Sequence, residues 1–251
     1  MWYFPEMRRS DLHGALLSAG LLDHAEYTQE VNGTFATLAA SPLRAQPNDA
    51  LARAARGGLL VQVARGATYA ARVDALARDK SQGKRHLGHL LRPLLEDAVR
   101  RRGELPVGAF EDLVAKELGE PERLVLRDAV ERGLTPPLPP RAFGPCFRLE
   151  TAQWAIYDLG FDEDATNVDA LHHPAAFAPQ GPAAKAGLRK DDEVVLVRST
   201  WGNPDKDATV TVRRGAEERA ITFRPTSGRA PGFALRFVPG GDKSCAALAR
   251  R

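Results

Sequence analysis

Apolar residues in the first half of the chain recur at steps of three and four. Tyr27, Val31, Phe35 and Leu38 form such a series, with Asp23 placed as an N-cap, Glu26 three residues on, and Ser41-Pro42 as a stop. Asp11 to Ala19 reads as a shorter helix ended by Gly20, and Gln46-Pro47-Asn48-Asp49 as a loop. Leu59 to Ala77 is the most apolar helix, and Ala64, Gly66, Ala67, Ala70 and Ala71 let neighbouring helices approach it, so it is expected at the centre. Leu87, Leu90, Leu91, Leu94, Leu95, Ala98 and Val99 make an apolar stripe, with Pro93 predicting a kink or a late start. Val107, Phe110, Leu113, Val114 and Leu118 mark a further helix, and Pro121 to Glu131 a last one, ended by Gly133.

Beyond residue 140 the pattern changes to β-branched and alternating runs. Strands are expected over Cys146 to Glu150, Gln153 to Phe161, Glu193 to Val197, Ala208 to Arg213, Ala220 to Phe223 and Phe233 to Val238, with Arg214-Gly215 in a hairpin turn. Thr135-Pro-Pro-Leu-Pro-Pro140 between the two regimes reads as an extended linker. The expected class is therefore α+β and multidomain, with a helical bundle over residues 8–134 and a small β-rich domain over 141–240. The tail from Gly240 to Arg251 is expected to be mobile.

Composition narrows the function classes. The 251 residues carry 35 Lys and Arg against 32 Asp and Glu, a near balance that does not call for nucleic acid or a membrane surface. Cys146 and Cys245 are too few and too far apart in sequence for a zinc cluster or a dense disulfide framework. Arg8 and Arg9 precede a short apolar run, but Pro5, Glu6, Asp11 and His13 interrupt any signal-peptide pattern, and no stretch is apolar enough for a membrane span. The compartment stays open.

The most specific wording is Gly181 to Val197, GPAAKAGLRKDDEVVLV: a helical turn opened by Pro182, a left-handed exit at Gly187, Leu188 as a plug, a charged turn, then a strand. It resembles the PxxxAGLxxGDxIxxV segment of PDZ domains, with Asp191 where that segment has Gly in a turn of left-handed preference. The resemblance implies that Leu159-Gly160-Phe161 plays the carboxylate-holding loop of a peptide-binding site, beside a strand on which the peptide adds. An ordinary glycine break in a strand explains the same three residues equally well. Arg198 to Asp207, which contains Gly202-Asn203-Pro204, is too short for the helix that forms the other wall of a PDZ groove.

Three phrases in the helical half, Ser18-Ala19-Gly20-Leu21, Ala25-Glu26-Tyr27, and the run from Arg65-Gly66-Ala67 through Ala75 and Arg78, echo "RAGL", "EEY" and "KGALVALLLDLxxR". Their order, closed by the segment at 181, resembles the C-terminal part of the glycyl aminopeptidase family of zinc metallopeptidases over nearly the whole chain. That resemblance implies a thermolysin-like catalytic domain followed by a PDZ domain, with zinc bound by HExxH and a downstream Glu that both precede the "RAGL" phrase. The chain contains no HExxH, so no zinc ligand is carried over, no cofactor is expected, and no catalytic or metal residue is assigned. His86 and His89 stand at chelating spacing, but the apolar stripe beside them places both imidazoles at its border near solvent; His172-His173 reads as the end of a strand before Pro174, and His13 and His24 lack a suitably spaced acidic partner.

The expected function is the non-catalytic C-terminal portion of such a metallopeptidase, inactive alone, supporting the active-site cleft and carrying a degenerate PDZ-like module. The alternative is a free-standing interaction module that docks on a separate protein. Either way the expected partner is a protein or peptide: an upstream catalytic segment, or a second copy, meeting an exposed apolar patch that includes Leu59, Leu60, Val63 and the start Trp2-Tyr3-Phe4.

Overall fold

The computed structural model describes residues 14, 16–17, 19–54, 57–103, 105–106, 108–168, 172–240 and 245. Asp23 opens the first complete helix, α1 (His24–Ala40). Its carboxylate accepts the N–H groups of Ala25 and Glu26 at 2.7 and 2.8 Å, and the Glu26 carboxylate accepts the Asp23 N–H at 2.9 Å, a reciprocal capping box. Of the helix expected before it, only residues 14, 16, 17 and 19 are described, ending at Gly20 with φ +71°. Its remainder, the aromatic start at Trp2, and Val107 lie outside the described residues.

The expected loop at residues 46–49 is instead the entry to α2 (Asn48–Arg53). Pro47 stands at its N-cap with φ −65°, and Asp49 in the first turn complements the helix dipole. Next come α3 (Gly58–Lys80), α4 (Leu87–Arg100), α5 (Ala109–Leu118) and α6 (Glu120–Glu131). α3 is central as expected: Tyr69, Ala70, Val73 and Ala77 meet Leu87, Leu90 and Leu91 of α4, Phe110 and Val114 of α5, and Leu126 of α6 in one core. Pro93 lies inside an unbroken α4, on its exposed side, where water can satisfy the carbonyl that the missing N–H releases. The C-terminal part of α4 leaves the core, with Leu95 39% and Val99 79% exposed.

Where the pattern predicts two strands, one runs: β1 (Phe147–Tyr157). It pairs antiparallel with β5 (Thr226–Phe237) from Phe147 opposite Phe237 to Ile156 opposite Gly228. β5 starts seven residues earlier than Phe233 because a two-stranded ribbon is all edge, so Pro231 and Gly232 cost it no obligatory ladder. α1 lies across this ribbon. Tyr27 meets Phe147 at 5.0 Å between ring centroids, Phe35 meets Phe233 at 5.6 Å, and the Asn32 side chain donates to Leu235 O (3.0 Å) and accepts from Leu235 N–H (2.6 Å). Cys146 and Cys245 form a disulfide beside them. One hydrophobic cluster thus takes residues from both sides of the proline-rich stretch, and Leu138 of that stretch packs on it. Of the tail expected to be mobile, Cys245 is described, buried and disulfide-bonded; the rest beyond Gly240 lies outside the described residues.

The second sheet, in the order β2 (Glu193–Arg198), β3 (Ala208–Arg214), β4 (Glu217–Phe223), is an antiparallel meander. Arg214 pairs with Glu217, so the hairpin turn is Gly215-Ala216, with Gly215 at φ +64°. The chain is an α+β fold: helices first, then two small antiparallel sheets. No described helix is long and apolar enough to cross a membrane.

Candidate binding cleft at the Leu159 to Phe161 turn

The segment at 181 folds as its wording suggests. Pro182 starts the short helix α8 (Pro182–Lys185), Gly187 takes φ +106°, and Leu188, 3% exposed, plugs the core of the second sheet. Asp191 does not take the left-handed conformation expected there: among the described residues the non-glycine positive φ angles belong to Gln82, Arg102, His172 and Ala176. The structural weight falls on Asp192, which is 2% exposed. It accepts the Arg189 N–H at 2.8 Å and a two-pronged bond from Arg214, whose guanidinium also donates to Gly187 O at 2.7 Å. Burial pushes the Asp192 carboxyl up, but the bonds from Arg214 and Arg189 outweigh it and hold the group below the usual carboxylate range. The pair ties the α8 turn to the β3–β4 hairpin.

Against α8 lies the Leu159-Gly160-Phe161 turn. Gly160 has φ +82°, and a β-carbon on Gly181 would stand 2.8 Å from its Cα, so both positions need glycine. Gly160 O accepts from Ala178 N–H at 2.8 Å, and Leu159 O from Ala183 N–H at 3.2 Å. The side chains of Leu159 and Phe161 point into the core of the second sheet, so what the turn offers to ligand is backbone. That backbone lines an open cleft of about 450 Å³, bounded on the helical side by Pro42, Leu43 and Ala54 and on the sheet side by Tyr157 and Trp201.

The chemistry of the cleft departs from that of a carboxylate cradle. The Gly160 N–H is taken by the Asp158 carboxylate at 2.7 Å, and Asp162 caps Ala165 N–H at 2.9 Å. Glu163 and Asp164 stand on the same rim, so the field there disfavours an anion. The residues after the turn form a helix, α7 (Glu163–Val168), rather than a strand on which a peptide could add. Arg198 is the last residue of β2, and residues 199–207 that follow hold turns and no helix, in line with the length of the connection. In its place Trp201 packs on Tyr157, with ring centroids 5.9 Å apart, and reaches Gly57 at the start of α3.

The histidines fall as follows. His86 is the N-cap of α4: its Nδ1 accepts from Gly88 N–H at 3.1 Å, while His89 Nδ1 accepts from His86 N–H at 3.3 Å, so the pair is a capping device near solvent. His172 does not end a strand; it takes φ +51° in a loop, where its carbonyl accepts the Val194 N–H at 2.9 Å. The His24 ring lies on Phe237 at 4.1 Å, and His13 is outside the described residues. Among the described residues no three His, Cys, Asp or Glu side chains gather where they could hold a metal ion.

Two residues that the sequence reading passed over shape the region. Trp201 carried a signal, a large aromatic inside a polar Gly-Asn-Pro loop. Arg65 carried none beyond being a charge in an apolar helix. It is 1% exposed and donates to Asn48 Oδ1, Arg44 O (2.9 Å) and Gln46 O (3.0 Å), and burial lowers its pKa to about 10. This clamp holds the 44–48 segment that leads into α2.

Neither a protein-family model nor a curated protein sequence matches the chain. The chain spans about half the length of a solved structure that it resembles in fold, the aminopeptidase N family protein from Idiomarina loihiensis: the TM-score is 0.57 at 12% identity, over 96% of this chain and 47% of that one.

Proposed function

We propose that this chain is a non-catalytic portion of an aminopeptidase-like metallopeptidase of the glycyl aminopeptidase type, supporting a catalytic segment and carrying a degenerate PDZ-like module. The observation that carries the reading is the continuity of the likeness, in which nearly all of this chain corresponds to less than half of an aminopeptidase N family protein. The residues present do not fit the zinc of that family. HExxH is missing from the sequence, and the two histidines at chelating spacing spend their Nδ1 atoms on capping α4. Leu59 and Leu60, 65% and 51% exposed at the start of α3, supply an apolar face of the kind that an upstream catalytic segment would cover. With Leu159-Gly160-Phe161 taken as the peptide loop of a PDZ-like module, the Asp158 bond to the Gly160 N–H and the lack of a helix over residues 199–207 leave little to select a peptide C-terminus.

Metal analysis and aminoacyl-anilide hydrolysis on the purified chain test the first half of the reading. The expected result is no stoichiometric zinc and no turnover. One zinc per chain, with hydrolysis lost in His86→Ala or His89→Ala, overturns it. A C-terminal peptide library tests the second half, and one sequence-selective micromolar ligand lost in Gly160→Val contradicts degeneracy.

A further inference from the structure

We infer that the outer face of α4 is a self-complementary surface on which a second copy of this chain docks through an antiparallel α4–α4 contact. The apolar arc of α4 is wider than its own core covers. Leu87, Leu90 and Leu91 are buried, whereas Leu95 and Val99 continue the arc into solvent at 39% and 79% exposure. Gly88 stands on the same line, so Gly88, Leu95 and Val99 with Arg92 and Glu96 enclose a shallow groove. Helical spacing of 3.6 residues puts positions 88, 95 and 99 on one stripe and positions 92 and 96 together along one flank.

The occupant follows from the symmetry of this stripe. Its midpoint falls between Pro93 and Leu94, and a two-fold axis there sets Gly88 of one copy against Val99 of the other, a gap against a knob. The same axis keeps both charged flanks on one side and brings Arg92 of each copy to within one residue's rise, about 1.5 Å, of the level of Glu96 of its mate. Within one chain these two pair at 3.0 Å with both side chains largely exposed, so exchanging that bond for one to the mate desolvates little. A partner with another charge pattern would not satisfy both ends at once. A single helix pair buries less than the ~1,000 Å² of a standard stable interface, so the association is weak and concentration-dependent.

A charge-swap series followed by sedimentation velocity over a concentration range decides the matter. The full chain is expected to shift from monomer to dimer as concentration rises. Arg92→Glu and Glu96→Arg each place like charges across the axis and are expected to weaken association about tenfold or more. Mixing the two variants restores opposite charges at both ends and is expected to recover a heterodimer. Both sites are exposed, so circular dichroism is expected to match the parent. A full chain that stays monomeric throughout, single variants that associate like the parent, or a mixture that stays monomeric would each overturn the proposal. Loss of association in Leu59→Glu with none in Arg92→Glu would place the contact on α3 and overturn it as well.

Discussion

The six-membered ring of Trp201 occupies the space that a β-carbon on Gly57 would need: built there, that atom would lie 1.6 Å from Cη2 of the indole. Gly57 is the N-cap of α3 at φ +76°, a conformation that already favours glycine. The contact joins the loop after β2 to the start of the central helix, and the Leu159 to Phe161 cleft lies beside it. Gly57→Ala is therefore expected to cost about 2–4 kcal/mol, from positive-φ strain together with displacement of the indole. Chemical denaturation with tryptophan fluorescence reads both effects. In the Trp201→Ala background the same change is expected to cost only the strain, about 1 kcal/mol. An equal cost in both backgrounds would refute the contact.

Arg214→Met leaves the Asp192 carboxylate buried without its partner, at an expected cost of about 3 kcal/mol. The pH dependence has a fixed sign. The carboxyl titrates below its unfolded value, so the pair's stabilisation is fully present above the ordinary Asp range and is lost as pH falls through the depressed folded value. Urea melts through the acid range should show this loss in the parent and a smaller one in Asp192→Asn. Identical acid profiles would show that the pair is not coupled to folding.

Arg65→Met removes the donor that Arg44 O, Gln46 O and the Asn48 side chain share. These acceptors are left partly buried without it, and the expected cost is about 2–4 kcal/mol. Hydrogen exchange should show the damage concentrated in residues 44–53 rather than spread through α3. Uniform loss of protection would mean that Arg65 acts through packing of the helix and not as a clamp on the segment before α2.

The Cys146–Cys245 bond joins residues 99 apart, and the chain-entropy account assigns a loop of that length about 4–5 kcal/mol. A Cys146→Ser, Cys245→Ser double variant, or reduction of the parent, should lower the melting temperature markedly. The β1–β5 ribbon and α1 beside it should loosen first, as read by near-ultraviolet circular dichroism. A melting temperature unchanged under reducing conditions would show that the bond constrains nothing in the unfolded chain.

What could be read in advance followed local physics. Asp23 with Glu26, the stop at Ser41, the Leu87 to Leu94 face of α4 and the Pro182 to Leu188 turn are all signalled by spacing within a few residues, and each stands as that spacing implies. The continuity of β1 was hidden because Thr151 and Ala152 interrupt the alternation, while the pairing that carries the strand through them comes from residues 233 and 232, far along the chain. The cleft was only half legible for the same reason. Leu159-Gly160-Phe161 announced a tight turn, but the Asp158 side chain that fills its N–H, the helix that follows it, and the Trp201 wall depend on tertiary placement that no periodicity encodes.

The bond pair between Asn32 and Leu235 spans 203 residues, and it has a consequence for how the polypeptide can be made. During synthesis from the N-terminus, α1 emerges with Tyr27 and Phe35 facing solvent, and β1 emerges later with an unpaired edge along its whole length. Phe143 and Phe147 give α1 part of its cover, but neither element is complete until β5 has cleared the ribosome, because Phe233, Leu235 and Phe237 supply the rest. The helical core around α3 can close early from neighbouring segments, while the ribbon layer must wait for residues 226–237. The nascent protein therefore carries a partly covered helix from α1 onwards and a bare strand while residues 158 to 237 are being made, and these are the surfaces that a holdase chaperone would meet.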